Sequence, residues 1–325
     1  MRFDVLSLGP ARMDVFVKLP EEITEWCSID KKRCMIELGF GEKIAVKTVN
    51  YAVGGNTGNN AVGVTRLGLK AAMLGGMGDG WGDKEALEIL KKEGVDTTRV
   101  QVIPGKSGFG VVINYQEERT ILSYYADTNV QIPEDLDVEA EWMYLTTAGE
   151  TYEDFYSQAV QLAAKKNIKI AFNPGSRQLK AGIEKLKYVY EACEILFVNK
   201  EEAAMLISGD VGNVRALLNG LHNLGPKTVV ITDGPAGTYA YDGTKYWHMP
   251  IVPAPVIERT GAGDAFGSGF LSATIKGKLL PEALRWGTVN SASVLGFIGP
   301  QAGLLSEKGI QEWLEKSSSV VAEEI

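Results

Sequence analysis

The chain has 325 residues with an ordinary globular composition, enough for one large domain or two smaller ones with a full core. Its formal net charge of −8 argues against a nucleic-acid or membrane-surface partner. Three cysteines without a CxxC pair (Cys27, Cys34 and Cys193) read as reduced thiols of a cytoplasmic protein, and two histidines (His222 and His248) are too few for a His metal cage or triad.

Phe3 to Leu8 is a buried-strand pattern stopped by Gly9-Pro10, and it lacks the character of a signal peptide. A dinucleotide fold would place GxGxxG here; instead Ala11-Arg12-Met13-Asp14 leads into a second strand at Val15 to Val17. Residues 20–43 mix charges, Cys and Gly and carry no clear pattern. Ile44 to Val53 alternates as a strand with one wet face. Gly54-Gly55-Asn56-Thr57-Gly58-Asn59-Asn60 then runs into a small apolar helix, Ala61 to Leu67, which Asn59 or Asn60 would suit as an N-cap. Ala71 to Leu74 is a strand, and Gly75 to Gly82 is a glycine-rich turn before a helix at Asp83 to Glu93.

Gly105-Lys106-Ser107 imitates the end of a Walker-type phosphate loop, but Val100 stands where its first glycine belongs and no helix follows. Gly108 to Asn114 and Thr120 to Tyr125 read as a hairpin joined by Gln116 to Arg119. With the strands near Val15 and Ile44 it would form a small sheet interleaved in sequence with the core. From Trp142 the pattern becomes β–α–β: strands at Met143 to Leu145, Ile168 to Phe172, Ile195 to Val198 and Thr228 to Ile231, helices at Tyr152 to Lys166 and Gln178 to Ala192. Such alternation predicts a mostly parallel sheet with helices on both faces, and function at the C-terminal ends of its strands.

Two polar stretches follow strands. Asn199-Lys200-Glu201-Glu202 also fits a helix cap with its capping-box partner. Thr232-Asp233-Gly234-Pro235-Ala236-Gly237 also fits an ordinary hairpin turn before Thr238 to Tyr241. Glu258 to Leu271 carries the most chemistry: Gly261-Ala262-Gly263 turns sharply and leaves backbone amides uncovered, and a helix then begins with Asp264 in its first turn. The positive end of that helix makes an anion site suited to a phosphoryl group in transfer, and Asp264 beside it is a carboxylate able to take a proton from an attacking hydroxyl. Trp286 to Phe297 is a small-residue helix, and the last nine residues, from Ser317, read as a frayed tail.

The run Thr260-Gly261-Ala262-Gly263-Asp264-Ala265-Phe266 resembles the second signature of the ribokinase family of carbohydrate kinases, also called the PfkB family, and Gly54-Gly55 with Asn59 resembles its first. Five motifs stand in family order from Asp14 to about Gly303: these two, the Gly75–Gly82 run (mainly structural), Asn199-xx-Glu202 and the Thr232–Gly237 loop. The resemblance implies a three-layer α/β/α core with a mostly parallel sheet and a small β-sheet lid. By it, residues 1–13, 53–106 and 128–325 are core, and 14–52 and 107–127 are lid.

It also implies ATP-dependent transfer of a γ-phosphoryl to a hydroxyl of a sugar or sugar derivative. In that reading Asp264 is the base and the amides of Ala262, Gly263 and Asp264, in the turn that Gly261 opens, form the anion hole. Asp14, Gly54, Gly55 and Asn59 grip the substrate, while Asn199, Thr232, Gly234, Gly237 and Asn290 line the ATP site. Asn199 and Glu202 organise Mg²⁺ through water. Two alternatives stay open. One is a nucleoside kinase with a base slot built from Phe16, Phe40, Phe109 and Tyr125; the other is a catalytically silent sugar or nucleotide sensor. A homodimer formed lid to lid is a further expectation, since the lid's strand edges are open.

One departure stands out. Many relatives have Asp-Thr-Thr where this chain has Glu258-Arg259-Thr260, beside a monovalent-cation site. An Arg259 guanidinium turned toward the loop would supply the field of that cation, so the expectation is activity with little dependence on K⁺.

Overall fold

The computed structural model describes residues 2–28, 34–116, 118–126, 128, 130–133 and 135–325. Part of the unassigned segment (29–33), residue 117 of the hairpin turn and residue 127 at the expected end of the lid lie outside the described residues. In chain order the first strands are β1 (Arg2–Leu8), β2 (Arg12–Lys18), β3 (Thr24–Cys27), β4 (Cys34–Glu37) and β5 (Thr48–Gly54). There follow α1 (Asn56–Arg66), β6 (Ala71–Met77), α2 (Trp81–Lys92), β7 (Asp96–Val102), β8 (Phe109–Tyr115) and β9 (Glu118–Tyr124). The second half runs through β10 (Glu139–Leu145), α3 (Tyr152–Lys166), β11 (Lys169–Phe172), α4 (Ser176–Ala181), α5 (Ile183–Ala192) and β12 (Cys193–Asn199). Next come α6 (Lys200–Ile207), α7 (Val214–His222), β13 (Thr228–Thr232), β14 (Thr238–Tyr241) and β15 (Tyr246–Met249). The chain closes with α8 (Ala262–Ile275), α9 (Leu280–Val294), α10 (Glu307–Lys316) and the short β16 (Glu323–Glu324).

Ten strands form the central sheet in the order β16-β15-β14-β13-β12-β11-β10-β1-β6-β7. From β13 to β7 neighbours run parallel, and β14, β15 and β16 continue antiparallel. Near-continuous apolar strands such as Leu196 to Val198 are buried on both faces, as a parallel sheet between helix layers requires. Two apolar cores result. One packs α1, α8 and α9 around Phe197, Phe266 and Phe270; the other packs α3, α5 and α7 around Tyr156, Phe172 and Tyr190. A separate four-stranded sheet, β5-β2-β8-β9, lies apart from the central one.

Several local expectations are corrected. α1 begins at Asn56, so Asn59 and Asn60 are buried inside the helix and its N-cap is Gly55, at φ 91°. The expected 178–192 helix is split at Gly182 (φ 84°) into α4 and α5. The tail is docked: Glu323 and Glu324 pair with β15, Ile325 N–H donates to the Tyr246 carbonyl, and Arg285 donates to the Leu314 and Ser317 carbonyls. Cys27 and Cys34 are not free thiols: they face each other across the β3–β4 ribbon and form a disulfide, while Cys193 stays a buried thiol. Among the described residues no helix is long and apolar enough to cross a membrane.

Candidate active site

The C-terminal ends of β1 and β6, the N-termini of α1 and α8 and one face of the small sheet enclose a cleft of about 560 Å³. Its lower wall is the start of α8. Gly261 caps that helix at φ 84°, where a Cβ would come within 2.3 Å of Pro300, so the turn requires glycine on two counts. Ala265 N–H closes the first helical bond on the Gly261 carbonyl. The amides before it have no intrahelical acceptor. Ala262 N–H makes a long turn bond of 3.4 Å to Arg259, which leaves the amides of Gly263 and Asp264 for a ligand. A Cβ on Gly263 would meet nothing within 4 Å, so the approach to these amides is open.

Asp264 lines the cleft at 9% exposure. Burial pushes its carboxyl up to about 6, opposed by one hydrogen bond, in which Asn59 Nδ2 donates to Oδ2 at 2.7 Å. The Asn59 amide is fixed in turn by Gln301, whose Nε2 donates to Asn59 Oδ1 at 3.1 Å. Asn59, expected to hold substrate, lines the cleft as well, with its amide donating to the Asp264 carboxylate. Gln301 carries no sequence signal, because it reaches Asn59 across 242 positions.

The opposite wall is the small sheet. Asp14 points into the cleft between Gly54 of β5 and Gly110 of β8, where Cβ atoms would stand 2.0 and 2.2 Å from its carboxylate oxygens. Arg12 Nε donates to Asp14 Oδ1 at 2.7 Å, yet burial outweighs that partner and the carboxyl is raised from its ordinary value. Gly55 also lines the cleft, with the Pro10 carbonyl 2.9 Å from where its Cβ would be. Arg12 and Arg119, which sequence reading passed over, line the cleft as well. Of the four aromatics considered for a base slot only Tyr125 does so, and the Arg12 guanidinium lies 5.0 Å from its ring centroid. Phe16 is buried in the core, and Phe40 and Phe109 are exposed.

The residues expected around ATP fall outside the cleft lining. Asn199 and Thr232 are in-register neighbours at the ends of β12 and β13. Asn199 and Glu202 form a reciprocal capping box at the start of α6. Glu202 Oε2 accepts from Asn199 N–H at 2.9 Å, and burial raises the Glu202 carboxyl. A partly buried carboxylate in the first turn of the helix that follows β12, with its other oxygen to spare, fits Mg²⁺ held through water. Gly234 and Gly237 (φ 93°) shape the turn from β13 into the antiparallel β14, beside the Lys200–Asp233 ion pair.

Asn290 is elsewhere. It is fully buried, with Nδ2 donating to the Ala265 carbonyl and Ser268 Oγ, and Oδ1 accepting from Leu305 N–H. It braces α8 against α9, with no exposed surface of its own.

Arg259, expected near the loop, reaches instead toward Glu118 on the hairpin, 3.7 Å away. Glu258 is buried, accepts from Thr260 N–H at 2.7 Å, and has Arg119 as its neighbour at 3.9 Å.

The model of the pfkB family carbohydrate kinases matches residues 25–307. The chain is 30% identical over 258 residues to a cytidine kinase of Thermococcus kodakarensis, covering 74% of this chain and 87% of the relative. It is 26% identical over 334 residues to a 5-dehydro-2-deoxygluconokinase of Bacillus subtilis, covering 97% of each. The structure of Arabidopsis thaliana ribokinase complexed with ribose and ATP superposes with a TM-score of 0.80 at 22% identity, over 97% of this chain and 99% of that one. Glycine turn, buried carboxylate, capped acidic helix and family match converge: this chain belongs to the pfkB family of carbohydrate kinases.

Proposed function

We propose that the protein transfers the γ-phosphoryl of ATP to a hydroxyl of a sugar or sugar derivative bound between the small sheet and the N-terminus of α8. The observation that carries this is Asp264, a cleft-lining carboxylate raised to about 6 and set one residue past a glycine turn with free amides. At neutral pH such a group is mostly ionised yet basic enough to accept a proton as the hydroxyl attacks. The Gly263 and Asp264 amides, at the positive end of α8, face the charge that develops on the transferring phosphoryl. Mg²⁺ bound near Asn199 and Glu202 would neutralise phosphate charge. Asp14 orients acceptor hydroxyls, and Asn59 holds the Asp264 carboxylate in place.

The small sheet has little core of its own and acts as a lid over the acceptor, excluding water from the reaction. Its open edges, β5 and β9, are where two copies would pair. The sugar reading is preferred to the nucleoside one because, of the four aromatics considered for a base slot, only Tyr125 lines the cleft, and the Arg12 guanidinium lies over one face of its ring. It is preferred to a silent sensor because a binder gains nothing from a buried carboxylate with a raised pKa in its cleft.

The test is ADP release by Asp264→Asn over sugars, sugar phosphates, sugar acids and nucleosides. The expected result is nucleotide binding near that of the parent and turnover lower by about 10²–10⁴, the usual worth of a positioned base. Near-normal turnover would remove Asp264 from the chemistry.

A further inference from the structure

We propose that the acceptor is a sugar acid, whose carboxylate is held under the lid by Arg12 and Arg119 while a hydroxyl at its other end meets Asp264. This names the substrate class of the kinase reading above and rests on it. The first observation is how Arg12 is built in. Residues two apart on a strand share a face, so Arg12 and Asp14 of β2 both face the cleft. Gly110 of β8 pairs with Asp14 on one side and with Ser123 of β9 on the other. With no side chain at 110, the Arg12 guanidinium lies across that gap. Nε donates to Asp14 at 2.7 Å, Nη2 donates to Ser123 Oγ at 3.1 Å, and Tyr125 covers one face. A Cβ on Gly110 would stand 3.1 Å from Nη2.

A solvent-seeking arginine would leave its head free to extend into water. Here the plane is locked and the side chain is only 14% exposed, so its remaining N–H groups are presented in a fixed fork to the cleft that it lines. Fixed planar forks match carboxylates.

The second observation is Arg119. It lines the same wall, and its buried Nε has no hydrogen-bond partner among the described residues. Glu258 Oε1, at 3.9 Å, is too far for a hydrogen bond.

The charge count selects among anions. The lid side holds two guanidiniums, Arg12 and Arg119, against two carboxylates, Asp14 and Glu258. Asp83 is spent on the Gly80 N–H as a helix cap. A dianionic phosphate would overload a wall that is already balanced. A neutral sugar would leave the buried Arg119 Nε–H without a charged acceptor, which is costly. A single carboxylate meets both conditions, because it adds one charge and not two and gives the Arg119 Nε–H its acceptor.

The experiment uses the full chain and matched pairs: D-gluconate with D-glucitol, and 2-keto-3-deoxygluconate with 3-deoxyfructose. D-Ribose, cytidine and fructose 6-phosphate are run alongside. Two readouts are taken, ADP release with Mg-ATP and calorimetric binding of the acceptor. At least one acid should be preferred over its neutral partner by about 10- to 100-fold, the range for a hydrogen bond to a charged group. Arg119→Gln should collapse that ratio, and Arg12→Lys, which keeps the charge and loses the fork, should lower it in a protein that still folds. Acid preference in binding without turnover of any acceptor would uphold this proposal and defeat the kinase reading. Ribose, cytidine or fructose 6-phosphate used better than every acid would overturn this proposal and leave the kinase standing. No acid preference in either readout would also overturn it.

Discussion

Asn59→Leu tests whether the Asn59 amide tunes Asp264 or merely fills space. The carboxylate is raised to about 6 by burial, and the only opposing contribution is the 2.7 Å bond from Asn59 Nδ2. A hydrogen bond to the charged form stabilises that form, so removing it must raise the pKa. Bonds to charged groups contribute about 1.5–3 kcal/mol, and one pH unit is about 1.4 kcal/mol, so the shift is about one to two units. Leu keeps the volume and removes the donor, and the Gln301 amide that bonded Asn59 is left to find another acceptor. The measurement is the pH dependence of kcat/KM, whose acid limb reports the base in the free enzyme. The parent limb should lie near 6 and the variant's near 7 to 8, with the two curves converging at high pH. A variant slower by one constant factor at every pH, with an unmoved limb, would refute the reasoning and make Asn59 a substrate contact.

Three further outcomes follow from the geometry. Hydrogen exchange at residues 14–19 and 108–125 should slow when acceptor is bound; equal protection with and without it would count against a closing lid. Asn290→Ala should lower thermal stability by about 1–3 kcal/mol per orphaned partner with little change in the KM for ATP, whereas a raised KM at unchanged stability would return Asn290 to the nucleotide site. With saturating Mg-ATP, turnover in potassium, sodium and tetramethylammonium salts at equal ionic strength should be similar, because the Arg119 guanidinium already stands beside Glu258; strong activation by potassium alone would refute this.

The parts of the fold that were legible are those that a contiguous stretch determines. The TGAGD run specifies its own turn, because Gly261 needs a positive φ and clearance from Pro300, and the helix after it is buried from Asp264 to Ala273. The β–α–β alternation from residue 142 onward predicted the parallel sheet for the same reason. Asn59 was legible as a candidate site residue and not as to its partner: its identity is local, whereas the bond it makes depends on Asp264, 205 positions away. Arg12 and Arg119 were invisible because a lone arginine near a strand reads as surface. Only the pairing of β2, β8 and β9 brings them to one wall. The disulfide was missed for a related reason: Cys27 and Cys34 show no motif until β3 and β4 set them opposite one another.

The departure at Glu258-Arg259 takes on a different meaning once the hairpin is in place. Glu118 and Arg119 open β9, and each finds its opposite in the loop that enters α8: Arg259 with Glu118, Glu258 with Arg119. The outer pair is exposed and worth little, but Glu258 is buried and its Oε1 also fixes the Thr260 N–H, one residue before Gly261. Glu258 thus stands between the hairpin and the turn before α8, 3.9 Å from Arg119 and bonded to the Thr260 N–H. A lid that moved would move a partner of that turn. In the kinase reading proposed above, Glu258 and Arg259 would join closure over the acceptor to the phosphoryl site.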